Sequence, residues 1–293
     1  MDRYTINNVE QLTGIKAHSL RAWEKRYKSL IPHRTETNIR FYDDQQVRKL
    51  LNIATLMPHG YKISRLMAMT DETINALILD LEQATTVNDH TTGLQVNNLV
   101  AAMLSFDEQM FDKALSNAII RLGLFDAIVN IVYPFLRKTG ILWSTDNATP
   151  AQEHFASNLL RRKLQAAIDG LRYPAKRDSN FILFLPPGEQ HEIGLLLSDY
   201  MIRSKDKPTV YLGQDLPYAS LKAAMEKIAP THLLTFFTKG ADTTTHLKQL
   251  SQLMHRKHCV LLICTNDSVT ADFKLPKNIR FLNTPQALLD YLD

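Results

Sequence analysis

The feature that most constrains this chain is a change of hydrophobic period beyond Pro174. From there, short apolar runs alternate with amphipathic stretches. The runs are Phe181–Leu185, Thr209–Leu212, His232–Phe237, His258–Cys264 and Ile279–Leu282, and helical patterns start near His191, Ala219, Thr243 and Pro285. Such an alternation reads as a parallel sheet, because each crossover helix covers one face and leaves the strands buried on both. Residues 178–293 are therefore expected to form a Rossmann-like parallel-sheet domain. Sheets of this kind bind ligands beyond the carboxyl ends of their strands. Glu189-Gln-His191-Glu-Ile-Gly194 falls there, after the first strand, with an imidazole at a strand-to-helix corner.

Upstream the spacing is helical throughout. Leu99, Met103 and Leu104, then Phe111, Leu115 and Ile119, then Leu159, Leu160 and Leu164 predict a helix bundle over 94–172. Asn88-Asp-His-Thr-Thr-Gly93 is polar and reads as a linker near residues 84–93. Residues 1–83 read as short helices with turns at Thr13-Gly14 and Ile31–Arg34, and with a short wing ending at Arg40-Phe41-Tyr42. The expected fold is thus multidomain, α and α/β: an N-terminal winged helix-turn-helix, a central helical bundle and a C-terminal Rossmann-like domain.

At 293 residues, 45% apolar and 22% charged, the chain has room for these domains and no sign of disorder. Cys259 and Cys264 lie in or beside one strand, without zinc spacing or a secretory segment, so they read as packing residues in a cytoplasmic protein. No apolar run approaches the roughly 20 residues that span a bilayer. No Ser/His/Asp or Cys/His arrangement and no phosphate loop stands out, so an enzyme is not indicated.

Charge is concentrated at one end. The whole chain carries a formal +4, yet residues 16–40 alone hold seven cations (Lys16, Arg21, Lys25, Arg26, Lys28, Arg34, Arg40) against Glu24 and Glu36. That segment suits a polyanion. Over Ala17–Lys28, Leu20, Trp23 and Tyr27 share one helical face and read as packing residues, with Trp23 in the core. His18, Arg21, Lys25 and Lys28 share another face, able to enter a major groove. Gly14 can take the positive φ of the preceding turn, and Arg34, Asn38 and Arg40 lie on the wing, where guanidinium forks can straddle phosphates.

Tyr4-Thr-Ile6, Val9-Glu10, Thr13-Gly14-Ile15, Leu20-Arg21-Ala22-Trp23-Glu24, Arg26-Tyr27, Pro32, Arg34-Thr-Glu-Thr-Asn38 and Arg40-Phe-Tyr42 together resemble the MerR family of regulators. That resemblance implies DNA contacts from Arg21 and Arg40, with His18, Lys25, Tyr27, Arg34 and Asn38 beside them, and binding to an inverted-repeat operator in double-stranded DNA. The family binds as dimers, many of them through a long coiled coil. Residues 71–83 are too short for one, so self-association into dimers or tetramers is expected to use other surfaces.

The remainder resembles the cobalamin-binding, light-responsive MerR regulators of carotenoid genes (CarA, CarH and LitR type). The matching residues are Glu189-x-His191-x-x-Gly194 with Val210-Tyr-Leu-Gly213-Gln-Asp215, and Trp143 followed after nine residues by Glu153-His154. The resemblance implies adenosylcobalamin as cofactor, with His191 as the lower axial ligand of cobalt and Glu189 fixing its tautomer. Gly194 would admit a bulky planar ligand, while Trp143, Glu153 and His154 cap the upper face. The family buries the cobalamin nucleotide tail between strands, using a small residue after the third strand and a Gly-Gly pair after the fourth. Here those places read Thr235-Phe236-Phe237-Thr238 and Ile263-Cys264-Thr265-Asn266, so the tail pocket is expected to be filled. Ser144 replaces the histidine that follows the bundle tryptophan in members forming a light adduct, and serine is a poor cobalt ligand. The expected function is a DNA-binding regulator, a repressor, whose C-terminal half senses adenosylcobalamin and light and controls oligomerisation. The alternatives are a half without corrin that serves assembly, another ligand or an antirepressor protein, and, last, a corrinoid carrier for a methyltransferase.

Overall fold

The computed structural model describes residues 4–27, 30–35, 38–84, 89–144, 149–174, 179–237, 243–254, 259–264 and 276–293. They fall into two compact units, Met1–Leu159 and Leu160–Asp293.

The first unit opens with helices α1 (Ile6–Thr13) and α2 (Ala17–Arg26), followed by the two-stranded wing of β1 (His33–Arg34) and β2 (Arg40–Phe41). Local chemistry sets these boundaries. Thr5 caps α1 by accepting from the Asn8 backbone N–H, and Gly14 ends it at φ +74°, a conformation that costs glycine little. Tyr4 pairs with Tyr42 across a backbone bridge, and both are fully buried. Two expectations need correction. Helix α2 stops at Arg26 and Tyr27 is extended, so Tyr27 does not continue the helical face. Trp23 is half-buried; the core residue of α2 is Leu20, and the fully buried aromatics of this domain are Tyr4 and Tyr42.

Asp43 and Gln46 form a reciprocal capping box that starts α3 (Asp44–Leu56), after which come a 3-10 turn (Met57–His59), α4 (Ile63–Leu66) and α5 (Asp71–Ala84). Next come α6 (Asp89–Leu104), α7 (Glu108–Leu122), α8 (Leu124–Ala127), a π-helical segment (Ile128–Val132), α9 (Tyr133–Ser144) and α10 (Pro150–Asp169), the last of which passes into the second unit. Helix α6 begins inside the polar stretch read as a linker. Burial of Leu94, Val96, Leu99, Val100 and Met103 holds that helix, and tertiary packing outweighs the weak local preference of Thr91, Thr92 and Gly93. Helices α3 and α6 pack together, as do α1 and α9, so the reader and the bundle share one compact unit.

The second unit holds β3 (Phe181–Phe184), α11 (Ile193–Ser204), β4 (Thr209–Gly213), α12 (Tyr218–Ile228), β5 (His232–Phe236), α13 (Thr243–Met254), β6 (Val260–Cys264), β7 (Ile279–Leu282) and α14 (Pro285–Leu292). All five strands are parallel in the order β4-β3-β5-β6-β7. The chain reverses direction across the sheet between β3 and β5, which opens a crevice at their carboxyl ends. Ile182, Phe184, Leu233, Leu261 and Ile263 pack on one face with Leu221 and Met225 of α12 and Leu247, Leu250 and Met254 of α13. The alternate residues, among them Phe181, Leu183, Leu234 and Leu262, are buried on the face of α11 and α14. Cys259 and Cys264 are buried free thiols, and burial pushes Cys264 up to about 12, consistent with packing rather than reactivity.

Candidate functional site

In the first unit, His18, Arg21 and Lys25 are exposed on α2. The N-terminus of α2 is capped from α1: Glu10 accepts from the Ala17 N–H at 2.9 Å and pairs with Lys16 at 3.2 Å, which holds its carboxyl below the usual range. Arg26 lies over the Tyr27 ring at 5.6 Å. On the wing, Arg34 Nη1 donates to the Asn38 carbonyl at 3.1 Å and to its Oδ1 at 2.7 Å, and Asn38 itself has φ +65°. Arg40 is ion-paired through Nε to Glu24 Oε2 at 3.1 Å, while the Tyr42 hydroxyl donates to the other oxygen of Glu24. Burial and that carboxylate drive the Tyr42 phenol well above its ordinary value.

Glu24 therefore ties the recognition helix to the wing. Sequence reading counted it as an opposing charge and as part of the Leu20–Glu24 motif, and gave it no tie to Arg40 or Tyr42, which lie 16 and 18 residues on. An open surface groove at the Gly60 turn is lined by His59, Tyr61, Lys62, Ser64 and Arg65.

In the second unit, the loop between β3 and α11 is held from several sides. The Gly188 N–H donates to Asp215 Oδ1 at 2.8 Å. Glu192, largely buried, accepts from Arg161 Nε at 2.7 Å, the Tyr211 hydroxyl at 2.8 Å and Gln214 Nε2 at 2.8 Å. Sequence reading gave Glu192 no role, because nothing local marks a carboxylate whose partners lie tens of residues away. On this loop Glu189 is buried, and its Oε1 lies 2.6 Å from His191 Nδ1 and accepts from the His191 N–H at 3.0 Å. The His191 side chain is 75% exposed. A carboxylate on Nδ1 keeps the proton there and leaves the lone pair on Nε2, the tautomer a metal ligand needs.

The residues expected at the upper face belong to the other unit. Trp143 is on α9, but its side chain lies outside the described residues. Glu153 and His154 are neighbours on α10, 3.8 Å apart and exposed. His255, His258, Thr238, Thr265 and Asn266 also lie outside the described residues.

Residues 4–73 match the model of the MerR HTH family regulatory proteins, and residues 95–168 match that of a B12 binding domain. The HTH-type transcriptional repressor CarH of Myxococcus xanthus is 28% identical over 84% of this chain and 84% of its own length. The repressor CarA of the same organism is 27% identical over 80% of this chain and 76% of its own. This chain carries a MerR-type HTH domain and a B12-binding domain, and is a DNA-binding regulator with a cobalamin-binding-like half. It is a regulator, not an enzyme. The monomethylamine corrinoid protein of Methanosarcina barkeri superposes with a TM-score of 0.51 at 15% identity, over 74% of this chain and 97% of that one, which shows the shared fold.

Whether this regulator fits a corrin has two answers. The Glu189–His191 pair suits an axial cobalt ligand. Among the described residues at the crevice, a phenyl ring lies against Gly194, and here the expected role of Gly194 needs correction. An added Cβ on Gly194 would meet Phe236 Cε1 at 2.7 Å, so the space above this glycine holds the regulator's own phenyl ring. Cys264 stands in register beside Phe236 at the end of β6 and is buried. Phe237, on the opposite face, is buried and stacks on His246.

Proposed function

We propose that the chain is a transcriptional repressor whose C-terminal half senses adenosylcobalamin, and light through it, and thereby sets operator occupancy. The observation that carries this reading is the exposed His191 ring on its buried Glu189. Bound, the cofactor would supply a cobalt–carbon bond that light breaks. The chain's own residues would orient the imidazole through Glu189, fix the loop through Glu192 and Asp215, and present Glu153 and His154 from α10. On the DNA side, Arg21, His18 and Lys25 would enter the major groove, with Tyr27, Arg34, Asn38 and Arg40 positioned at phosphates. Operator binding by paired copies would use surfaces other than a coiled coil, since α5 has 14 residues.

Phe236 favours a second reading, in which the half binds no corrin and serves assembly, another ligand or an antirepressor protein. One experiment separates them. Protein mixed with adenosylcobalamin in the dark is gel-filtered, and its visible spectrum is read before and after green illumination. Co-eluting corrin bands that change with light, and that lose their histidine-ligated form in His191→Ala, support sensing. Colourless protein that still binds duplex DNA, more weakly as salt rises, leaves the second reading.

A further inference from the structure

Helix α9 of the bundle carries a lysine whose surroundings stability does not account for. Lys138 Nζ donates to the Leu12 carbonyl at 3.0 Å and to Asn97 Oδ1 at 2.9 Å. Among the described residues no carboxylate pairs with it, and burial lowers its pKa with no offsetting charge. Desolvating an ammonium against neutral acceptors costs free energy that an apolar chain of the same length would not incur.

What Lys138 touches suggests its use. Leu12 lies in the last turn of α1, where a helix leaves carbonyls without intrahelical donors and its dipole favours a cation. The turn Thr13-Gly14-Ile15-Lys16 follows directly and delivers α2, whose N-terminus is capped by Glu10 of the same α1. The second arm reaches α3: Asn97 Nδ2 donates to Thr55 Oγ1 at 2.9 Å, and that hydroxyl donates to the Leu51 carbonyl at 3.0 Å. One ammonium on α9 thus holds both α1 and, through Asn97, α3.

We propose that Lys138 is a positioning residue for DNA binding: from bundle helix α9 it fixes α1, and through the Glu10 cap the recognition helix α2, so that α9 and the reader move as one body. The claim needs only the DNA-binding activity and is independent of what the C-terminal half binds.

The test is Lys138→Met in the full chain, with a duplex selected by the wild-type protein from a randomised pool. The thermal midpoint should be unchanged or raised. Affinity at fixed salt should fall about tenfold, within the usual range of coupling between sites. The slope of log affinity against log salt should stay the same, because Lys138 is argued to touch no phosphate, and amide exchange should quicken over residues 13–20. Unchanged affinity overturns the proposal. So does a salt slope reduced by about one, which marks a direct phosphate contact, and so does an affinity loss accompanied by a lowered midpoint and faster exchange throughout, which marks a structural role. If Lys138→Met fails to fold, Lys138→Gln, which keeps a donor without the charge, is read by the same criteria.

Discussion

The DNA-reading surface and the sheet crevice are built on opposite plans. On the reader, the charged side chains are either exposed, as His18, Arg21 and Lys25 are, or tethered to a partner that fixes their place, as Arg34 is to Asn38 and Arg40 to Glu24. In the crevice, one wall is prepared for a ligand and the other is closed: His191 is displayed on a buried carboxylate while Phe236 occupies the room above Gly194. The difference teaches that a site's chemistry and its space are separate inheritances. An imidazole seated on a buried carboxylate persists beside a glycine whose open side is taken by a phenyl ring.

The reader half of that comparison breaks most severely at Glu24. Its side chain is 8% exposed, accepts from the buried Tyr42 hydroxyl and is ion-paired with Arg40. Glu24→Ala strands a buried phenol and a guanidinium, and should cost about 2–4 kcal/mol, the loss of a charged hydrogen bond plus an unsatisfied donor. Chemical denaturation of the full chain measures it, and a loss below about 0.5 kcal/mol, the range of ordinary surface changes, would remove Glu24 as the tie between helix and wing. Arg21→Ala probes the exposed class instead. It should leave stability unchanged and weaken operator binding by about 1–3 kcal/mol, read in a titration at fixed salt; unchanged affinity takes Arg21 off the contact surface.

The crevice half is sharpened by Gly194→Ala. The new methyl group meets the Phe236 ring at a distance real Cβ atoms do not show, so the ring or α11 must shift. Overpacking of this kind costs about 1–3 kcal/mol. Made in a Phe236→Ala background, the same change should cost little, and the difference between the two backgrounds is the measure of the filled space. Equal costs in both would mean that Phe236 does not fill it.

How much of this was legible in the sequence follows the range of the interaction concerned. The five strands and the helices at Thr243 and Pro285 were readable because period and turn chemistry are local, and each begins where the pattern placed it, to within two residues. The same holds for Gly14. Trp23 and the start of α6 were misread because tertiary packing, which periodicity alone does not reveal, decided them: α2 buries Leu20 rather than Trp23, and burial of the α6 face carries that helix into the polar stretch. Of the site, the bulk of Phe236 was visible as a departure from a pattern, whereas its seat on Gly194 was not. Glu24, Glu192 and Lys138 were invisible as functional groups, since each acquires its role from partners distant in sequence.

The smallest expected effect concerns a histidine with no part in either surface. On β5, His232 stacks on Phe181 at 4.4 Å, and its ring nitrogens lie 2.8 Å from Thr231 Oγ1 and 2.9 Å from the Tyr291 hydroxyl. Burial, with Lys207 and Arg280 nearby, lowers its pKa from the ordinary 6.5. The folded chain therefore binds this proton less readily than the unfolded chain does. The stability this confers is complete above pH 6.5 and declines as pH falls below it, because protonation then favours the unfolded state. Denaturation midpoints between neutral and mildly acidic pH should show that decline in the wild type and a shallower one in His232→Asn. Equal slopes would mean that the ring accepts its proton in the folded sheet and that the packing around β5 tolerates the charge.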